Sequence, residues 1–176
     1  MEAIARQLAT GRKCLVIRNG WFSYRWSQIF EMGAIPAETI VLKAQPVRAG
    51  AKAAYAPPAI ETVIDTIRRE KPELVFAPHV ETASGIILPD DYLFQVADAV
   101  HEAGGLFVLD CVASGAIWVD MQALGVDVLL TSQWPQGVDK YGIKIVRTAC
   151  LNQYDDFKIR KFIVNLKCLV NGETNW

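Results

Sequence analysis

No stretch of about 18 consecutive apolar residues occurs in the 176-residue chain, which excludes a helix spanning a membrane. The opening residues, Met1-Glu2-Ala3-Ile4-Ala5-Arg6, lack the charged-then-apolar order of a signal peptide. There is no excess of either charge sign. The formal net charge is −1, which gives no case for nucleic acid as a partner. The four cysteines (14, 111, 150 and 168) are too few and too scattered for a disulfide scaffold or a paired zinc site. They suit a reducing, cytoplasmic setting, and no metal is expected. Gly-x-Gly-x-x-Gly, Walker and Gly-x-Ser-x-Gly patterns are all missing, which removes the usual marks of an unrelated doubly wound binding protein.

What is present is a chain 52% hydrophobic and 21% charged, long enough for one domain with a buried core and too apolar to be disordered. Short apolar runs at 13–17, 39–43, 74–77, 106–109 and 126–130 read as strands. Between them lie helical spacings. Phe22, Trp26, Ile29 and Phe30 share one face that closes at Gly33. Ile60, Val63, Ile64 and Ile67 share another, stopped by Pro72. Leu93, Val96, Ala97 and Val100 make a third, with Pro89 at its start, Asp90 and Asp91 in its first turn and Gly104-Gly105 after it. Residues 45–58, rich in Ala, Pro and Gly, read as a surface loop. Strands buried on both faces, alternating with amphipathic helices, predict a three-layer α/β/α domain with a mainly parallel sheet.

The composition changes late. No proline follows Pro135, no alanine follows Ala149, four of the five asparagines lie in 152–176, and five of the nine lysines lie from 140 onward. This divides the chain into a body, 1–136, and a divergent tail, 137–176.

In open α/β sheets, ligands bind outside the carboxyl ends of the strands. Three polar clusters fall at such ends: Arg18-Asn19-Gly20-Trp21-Phe22, the segment from His79 to Gly85, and Asp110-Cys111-Val112-Ala113-Ser114-Gly115. Each has a plain reading by itself. Asn19-Gly20 is a turn pair, Phe22 begins an apolar helix face, Thr82 and Ser84 cap a turn, and Asp110 caps the next element. His79 and His101 have no second residue at zinc spacing, and Glu81 has no paired carboxylate to fix acid–base roles.

Taken together and in order, the clusters resemble a known family. Arg18-Asn19-Gly20-x-Phe22-x-x-Arg25, His79-x-Glu81-Thr82-x-Ser84-Gly85-x-x-x-Pro89, Leu109-Asp110-x-Val112-Ala113-Ser114 and Gly125-Val126-Asp127-Val128 make residues 1 to about 130 similar to part of the fold-type I large domain of class V pyridoxal-phosphate aminotransferases. The serine–pyruvate and alanine–glyoxylate transaminases are the nearest type. The resemblance implies pyridoxal 5'-phosphate as cofactor, an amino acid and a 2-oxo acid as substrates, and a homodimer. It implies that Asp110 pairs with the pyridine nitrogen, where a carboxylate favours the protonated ring. It implies that Phe22, beside Trp21, stacks on that ring, that Thr82 contacts the cofactor, and that Ser114 lies near its rim.

The family's cofactor-bearing lysine follows a Gln after the strand that succeeds Gly-Val-Asp. Here the corresponding stretch reads Pro135-Gln136-Gly137-Val138-Asp139-Lys140. Gln136 is matched to the cofactor contact, and Lys140 is the nearest lysine available as the proton-shuttling amine. The family's Gly-rich phosphate turn and its carboxylate-binding arginine have no counterpart in the sequence, and the resemblance stops near 136. The expectation is a chain inactive or weakly active by itself, with a truncated or frame-shifted gene product as one explanation. The alternative is a non-catalytic α/β scaffold or dimerisation module.

Overall fold

The structure, a computed structural model, describes residues 1–115 and 117–130. Gln136, Lys140 and the 137–176 tail lie outside the described residues. A short helix, α1 (Glu2–Ile4), runs on into a π-helical turn (Ala5–Ala9) and delivers the chain to β1 (Lys13–Arg18). Then come α2 (Tyr24–Gly33) and β2 (Glu38–Lys43). The segment read as a loop contains a two-residue antiparallel pair, β3 (Gln45–Pro46) and β4 (Tyr55–Ala56). Next are α3 (Ile60–Glu70), β5 (Leu74–Pro78), and a second small antiparallel pair formed by β6 (Val80–Glu81) and β7 (Ile86–Ile87). The series closes with α4 (Asp90–Glu102), β8 (Leu106–Asp110) and β9 (Val128–Leu130).

Five strands form the central sheet in the order β2-β1-β5-β8-β9, and every adjacent pair is parallel. The sequence explains the order of burial. The apolar runs of β1, β5 and β8 occupy the three middle positions, where Leu15, Ile17, Leu74, Val75, Phe76, Phe107 and Leu109 are wholly buried. β2, whose Thr39 is polar and whose ends are charged, takes an outer position and stays partly exposed. All the strand ends that carry the polar clusters therefore lie along one edge of the sheet.

Helix α2 docks through aromatic rings. Trp26 and Phe30 converge on Phe76 of β5, with ring centroids 4.6 and 5.1 Å from it. Phe22 does not join this face. It precedes the helix and is 56% exposed. The helix also closes one residue later than its Gly suggests. Ala34, not Gly33, takes the left-handed conformation (φ 46°), a choice that costs a non-glycine residue roughly 1–2 kcal/mol. The reason is steric. A side chain at Gly33 would come within 2.8 Å of Cγ1 of Ile35, which is buried, so the glycine is kept for close packing.

The Gly125-Val126-Asp127-Val128 piece sits at the opposite edge, where β8 and β9 begin. Asp127 is 6% exposed. Its Oδ2 accepts the Phe107 N–H at 2.7 Å and meets Nε2 of His101, near the end of α4, at 2.8 Å. The aspartate thus ties the start of β8 to α4 and β9, and His101 is its structural partner. Replacing Asp127 with Ala strands a buried N–H and is expected to destabilise the fold by about 2 kcal/mol, read as a lower urea midpoint.

Candidate active site

The site is built outward from a carboxylate. Glu81, in the short hairpin after β5, is fully buried, which an acid tolerates only when its oxygens are saturated with donors. Its carboxylate accepts the N–H of Phe22 (3.1 Å), the N–H of Ser23 (2.8 Å), the Ser23 hydroxyl (2.6 Å) and the N–H of Ala83 in its own turn (3.3 Å). Three of these donors come from the loop after β1, so one side chain fastens two loops on adjacent strands. The Ser23 oxygen in turn accepts the N–H groups of Asn19 and Gly20, at 2.9 and 3.1 Å. Gly20 is needed for proximity: a Cβ there would lie 2.7 Å from Glu81 Cγ.

The result is a rigid backbone under Phe22 with its ring left free. Phe22 is 56% and Trp21 62% exposed, on the same edge as Thr82, which is also exposed. Beside them the Asn19 carboxamide is 3% exposed, and neither its oxygen nor its nitrogen has a partner among the described residues; the buried Ser84 hydroxyl oxygen is likewise unmatched. Unmet hydrogen-bonding capacity of this kind, at the carboxyl ends of parallel strands, is what a bound polar group would satisfy.

One strand further along, Asp110 ends β8. It is half-buried. The Val112 N–H donates to its Oδ1 (3.1 Å) and the Trp26 indole N–H to its Oδ2 (3.1 Å). Burial pushes its carboxyl above the ordinary aspartate value, and the two hydrogen bonds oppose that rise. His79 connects this strand end to the hairpin. Its backbone N–H donates to the Asp110 carbonyl (2.9 Å), and its Nδ1 meets the Ser114 hydroxyl at 2.7 Å. Burial lowers the His79 pKa and favours the neutral ring. The adjacent Cys111 thiol is pushed up to about 12 by burial, so it too is uncharged at neutral pH. Asp110 is thus the acid of this strand end, with the Glu81 carboxylate adding to the rise in its pKa.

The structure brings Phe22, Thr82 and Asp110 to one edge. Ser114 joins them through His79, as a buried partner of that ring and not as an exposed group. Three contributors carry roles that the sequence does not announce. Glu81 has no second carboxylate to pair with, and its task is to accept donors, most of them backbone N–H groups. Ser23 stands at the N-cap of α2 but makes no side-chain bond to the helix's own N–H groups; its oxygen turns back to Asn19 and Gly20, which the cap position does not signal. Trp26 lies on the apolar helix face and is core by spacing. The signal is its indole N–H, which needs a partner once the ring is buried. Among the described residues no group of three potential metal ligands occurs, and no helix is long and apolar enough to cross a membrane.

Replacing Glu81 with Ala leaves buried donors in both loops unmatched and is expected to cost about 3 kcal/mol or more. Gly20→Ala forces the same two loops apart and is expected to cost about 2 kcal/mol. Urea denaturation checks both, and the double variant should fall well short of the sum, because one contact is being removed twice.

Comparison with known proteins places this geometry in context. The Aminotransferase class-V family model matches residues 34–171, a span that takes in the His79, Asp110 and Asp127 pieces. No curated protein matches the sequence significantly. Among solved structures, the chain is similar to ureidoglycine–glyoxylate aminotransferase from Bacillus subtilis, with 24% identity and a TM-score of 0.59 over 74% of this chain and 31% of that one. It is similar to alanine–glyoxylate aminotransferase from Nostoc sp., with 22% identity and a TM-score of 0.58 over 74% and 32%. It is also similar to a PLP-bound C–S lyase from Staphylococcus hominis, with 12% identity and a TM-score of 0.52 over 74% and 33%. The chain spans about a third of the length of these structures.

Proposed function

The chain belongs to the class-V aminotransferases, and from that premise we propose that it serves the pyridoxal-phosphate-dependent transfer of an amino group from an amino acid to a 2-oxo acid, of the alanine or serine to glyoxylate or pyruvate type. The observation that carries the proposal is the edge just described: a half-buried carboxylate held by two donors and, on the same edge of the sheet, an exposed aromatic ring on a clamped loop. These residues fit a flat, cationic heteroaromatic ring. An anion at low solvent exposure gains most from a fixed cation, and a rigidly mounted phenyl face gains from stacking.

When bound, pyridoxal phosphate supplies an electron sink for the amino acid's Cα. The chain's own residues contribute the rest. Asp110 would favour the protonated ring nitrogen by charge attraction. Phe22 would offer its phenyl face for stacking. Thr82 would offer a hydroxyl to the cofactor's polar substituents. Gln136 and Lys140 enter the proposal from sequence alone, Gln136 as a further contact and Lys140 as the amine that would carry the cofactor and move a proton. A homodimer in the cytoplasm completes the reading.

A second reading keeps cofactor binding but not turnover, since Pro135-Gln136-Gly137 has glycine where the family motif has lysine. The two readings separate in one preparation. Titration of the purified full chain with pyridoxal phosphate, followed by tryptophan fluorescence, measures binding. Transfer of an amino group from alanine or serine to glyoxylate then measures turnover. Binding with turnover supports the enzyme, binding without turnover supports the non-catalytic module, and no binding overturns both.

Asp110→Asn is expected to weaken binding at least about ten-fold, or on the order of 1.4 kcal/mol. The pH dependence follows from the direction of the Asp110 shift. Only the carboxylate attracts the ring nitrogen. Its pKa lies above the ordinary 3.8, so affinity is expected to fall, as pH is lowered, before an ordinary aspartate would protonate. The Asn variant should lack that component in a binding titration repeated across pH.

A further inference from the structure

Trp26 packs as a core residue but bonds as a site residue. Its ring is fully buried against Phe30 and Phe76, with centroids 6.0 and 4.6 Å away, and those two rings also touch each other. The three rings form one cluster that holds the indole between its own helix and β5. The N–H that emerges from this cluster is directed at Oδ2 of Asp110, 84 residues away in sequence, at 3.1 Å. The other oxygen, Oδ1, is held by the Val112 N–H. A carboxylate with one donor on each oxygen cannot rotate about its Cβ–Cγ bond without breaking one of them. The backbone donor comes with the turn after β8. The side-chain donor depends on residue 26 being tryptophan, because neither phenylalanine nor leucine could fill the same volume and also donate.

We propose that Trp26 is a positioning residue, whose indole N–H fixes the orientation of the Asp110 carboxylate at the sheet edge. This rests on the reading of Asp110 as the partner of the cofactor's ring nitrogen, and it adds a specific demand on the hydrophobic core beneath it. Trp26 is fully buried, so it would act without touching the cofactor. It acts through Asp110 by keeping one lone pair of each oxygen engaged, so that the remaining lone pairs point in a single direction. Removing its hydrogen bond leaves an acid that is less well stabilised as an anion and free to swing about the one remaining donor. The other charges acting on Asp110 are Glu81, which raises its pKa, and the Met1 ammonium, which lowers it. Neither is touched by a change at position 26. Of the titratable groups on the same edge, burial lowers the pKa of His79 and pushes the Cys111 thiol up to about 12, so it favours the neutral form of each.

The test is Trp26→Phe in the full chain, a change that keeps an aromatic ring against Phe30 and Phe76 and removes the donor. With 13C-labelled aspartate, the carboxyl titration of Asp110 is followed in wild type and variant without any cofactor, using Asp110→Asn to assign the signal. The expected result is a titration moved to higher pH by about one pH unit, together with a pyridoxal-phosphate dissociation constant weakened about ten-fold. A purely structural role would lower thermal stability and leave the titration in place, and that outcome overturns the proposal. The titration is read on free protein, so it stands even where pyridoxal phosphate fails to bind, a failure that overturns the functional reading alone. Should Trp26→Phe not fold, the wild-type chain supplies the measurement. The Trp26 indole proton is expected to shift with pH in step with the Asp110 carboxyl, and an indole signal that stays flat through that titration overturns the proposal.

Discussion

The buried carboxylate of Glu81 is the constraint on which the candidate site depends. A charge removed from water must be repaid by donors, and four of them converge on it from two loops. Those loops leave neighbouring strands of the sheet and, without a common acceptor, would be free to move separately. With it, the backbone at Phe22 and Ser23 is locked to the hairpin after β5, and the exposed ring of Phe22 is mounted on a fixed base. The same hairpin begins at His79, whose main chain pairs with the end of β8. The positions of Phe22, Thr82 and Asp110 are therefore linked through hydrogen bonds as well as through the sheet.

The core contributes to the edge in a second way. The cluster of Trp26, Phe30 and Phe76 seats α2 on the sheet, and it also directs a polar atom upward to Asp110. One tryptophan thus belongs to two layers of the design. At the far edge, Asp127 organises the strand beginnings in a comparable manner, with a single oxygen shared by a strand N–H and a helix histidine. Both edges of the sheet are secured by acids whose function is to accept, and the carboxyl edge combines an exposed aromatic surface with buried polar atoms that have no partner among the described residues.

Much of this architecture was legible in the sequence. The runs at 13–17, 74–77 and 106–109 are continuous and apolar because they are buried on both faces, and the structure makes them the middle of the sheet. The spacing of Ile60 to Ile67 and of Leu93 to Val100 gave helices whose observed limits, Ile60–Glu70 and Asp90–Glu102, agree with the Pro and Gly signals around them. The two small antiparallel pairs were not legible, because two residues per strand are too few to show an alternating pattern. Phe22 illustrates a different limit. Its spacing from Trp26 fits a helix face, yet Ser23 and Glu81 hold the preceding turn open and the helix begins only at Tyr24. The edge itself was legible as three polar clusters at strand ends. What joins them was not, since Glu81 and Phe22 are 59 residues apart and their contact runs through a backbone N–H that no side-chain pattern reports.

The approach of Gly20 to Glu81 has an evolutionary corollary. With 2.7 Å between a would-be Cβ and Glu81 Cγ, the two positions share one allotment of space. Any side chain at 20 requires a shorter or withdrawn one at 81, and a shorter acid would no longer reach the Ser23 and Phe22 donors. A side chain at 20 is therefore compatible only with a smaller or withdrawn residue at 81, and gaining one loosens the clamp beneath the aromatic ring.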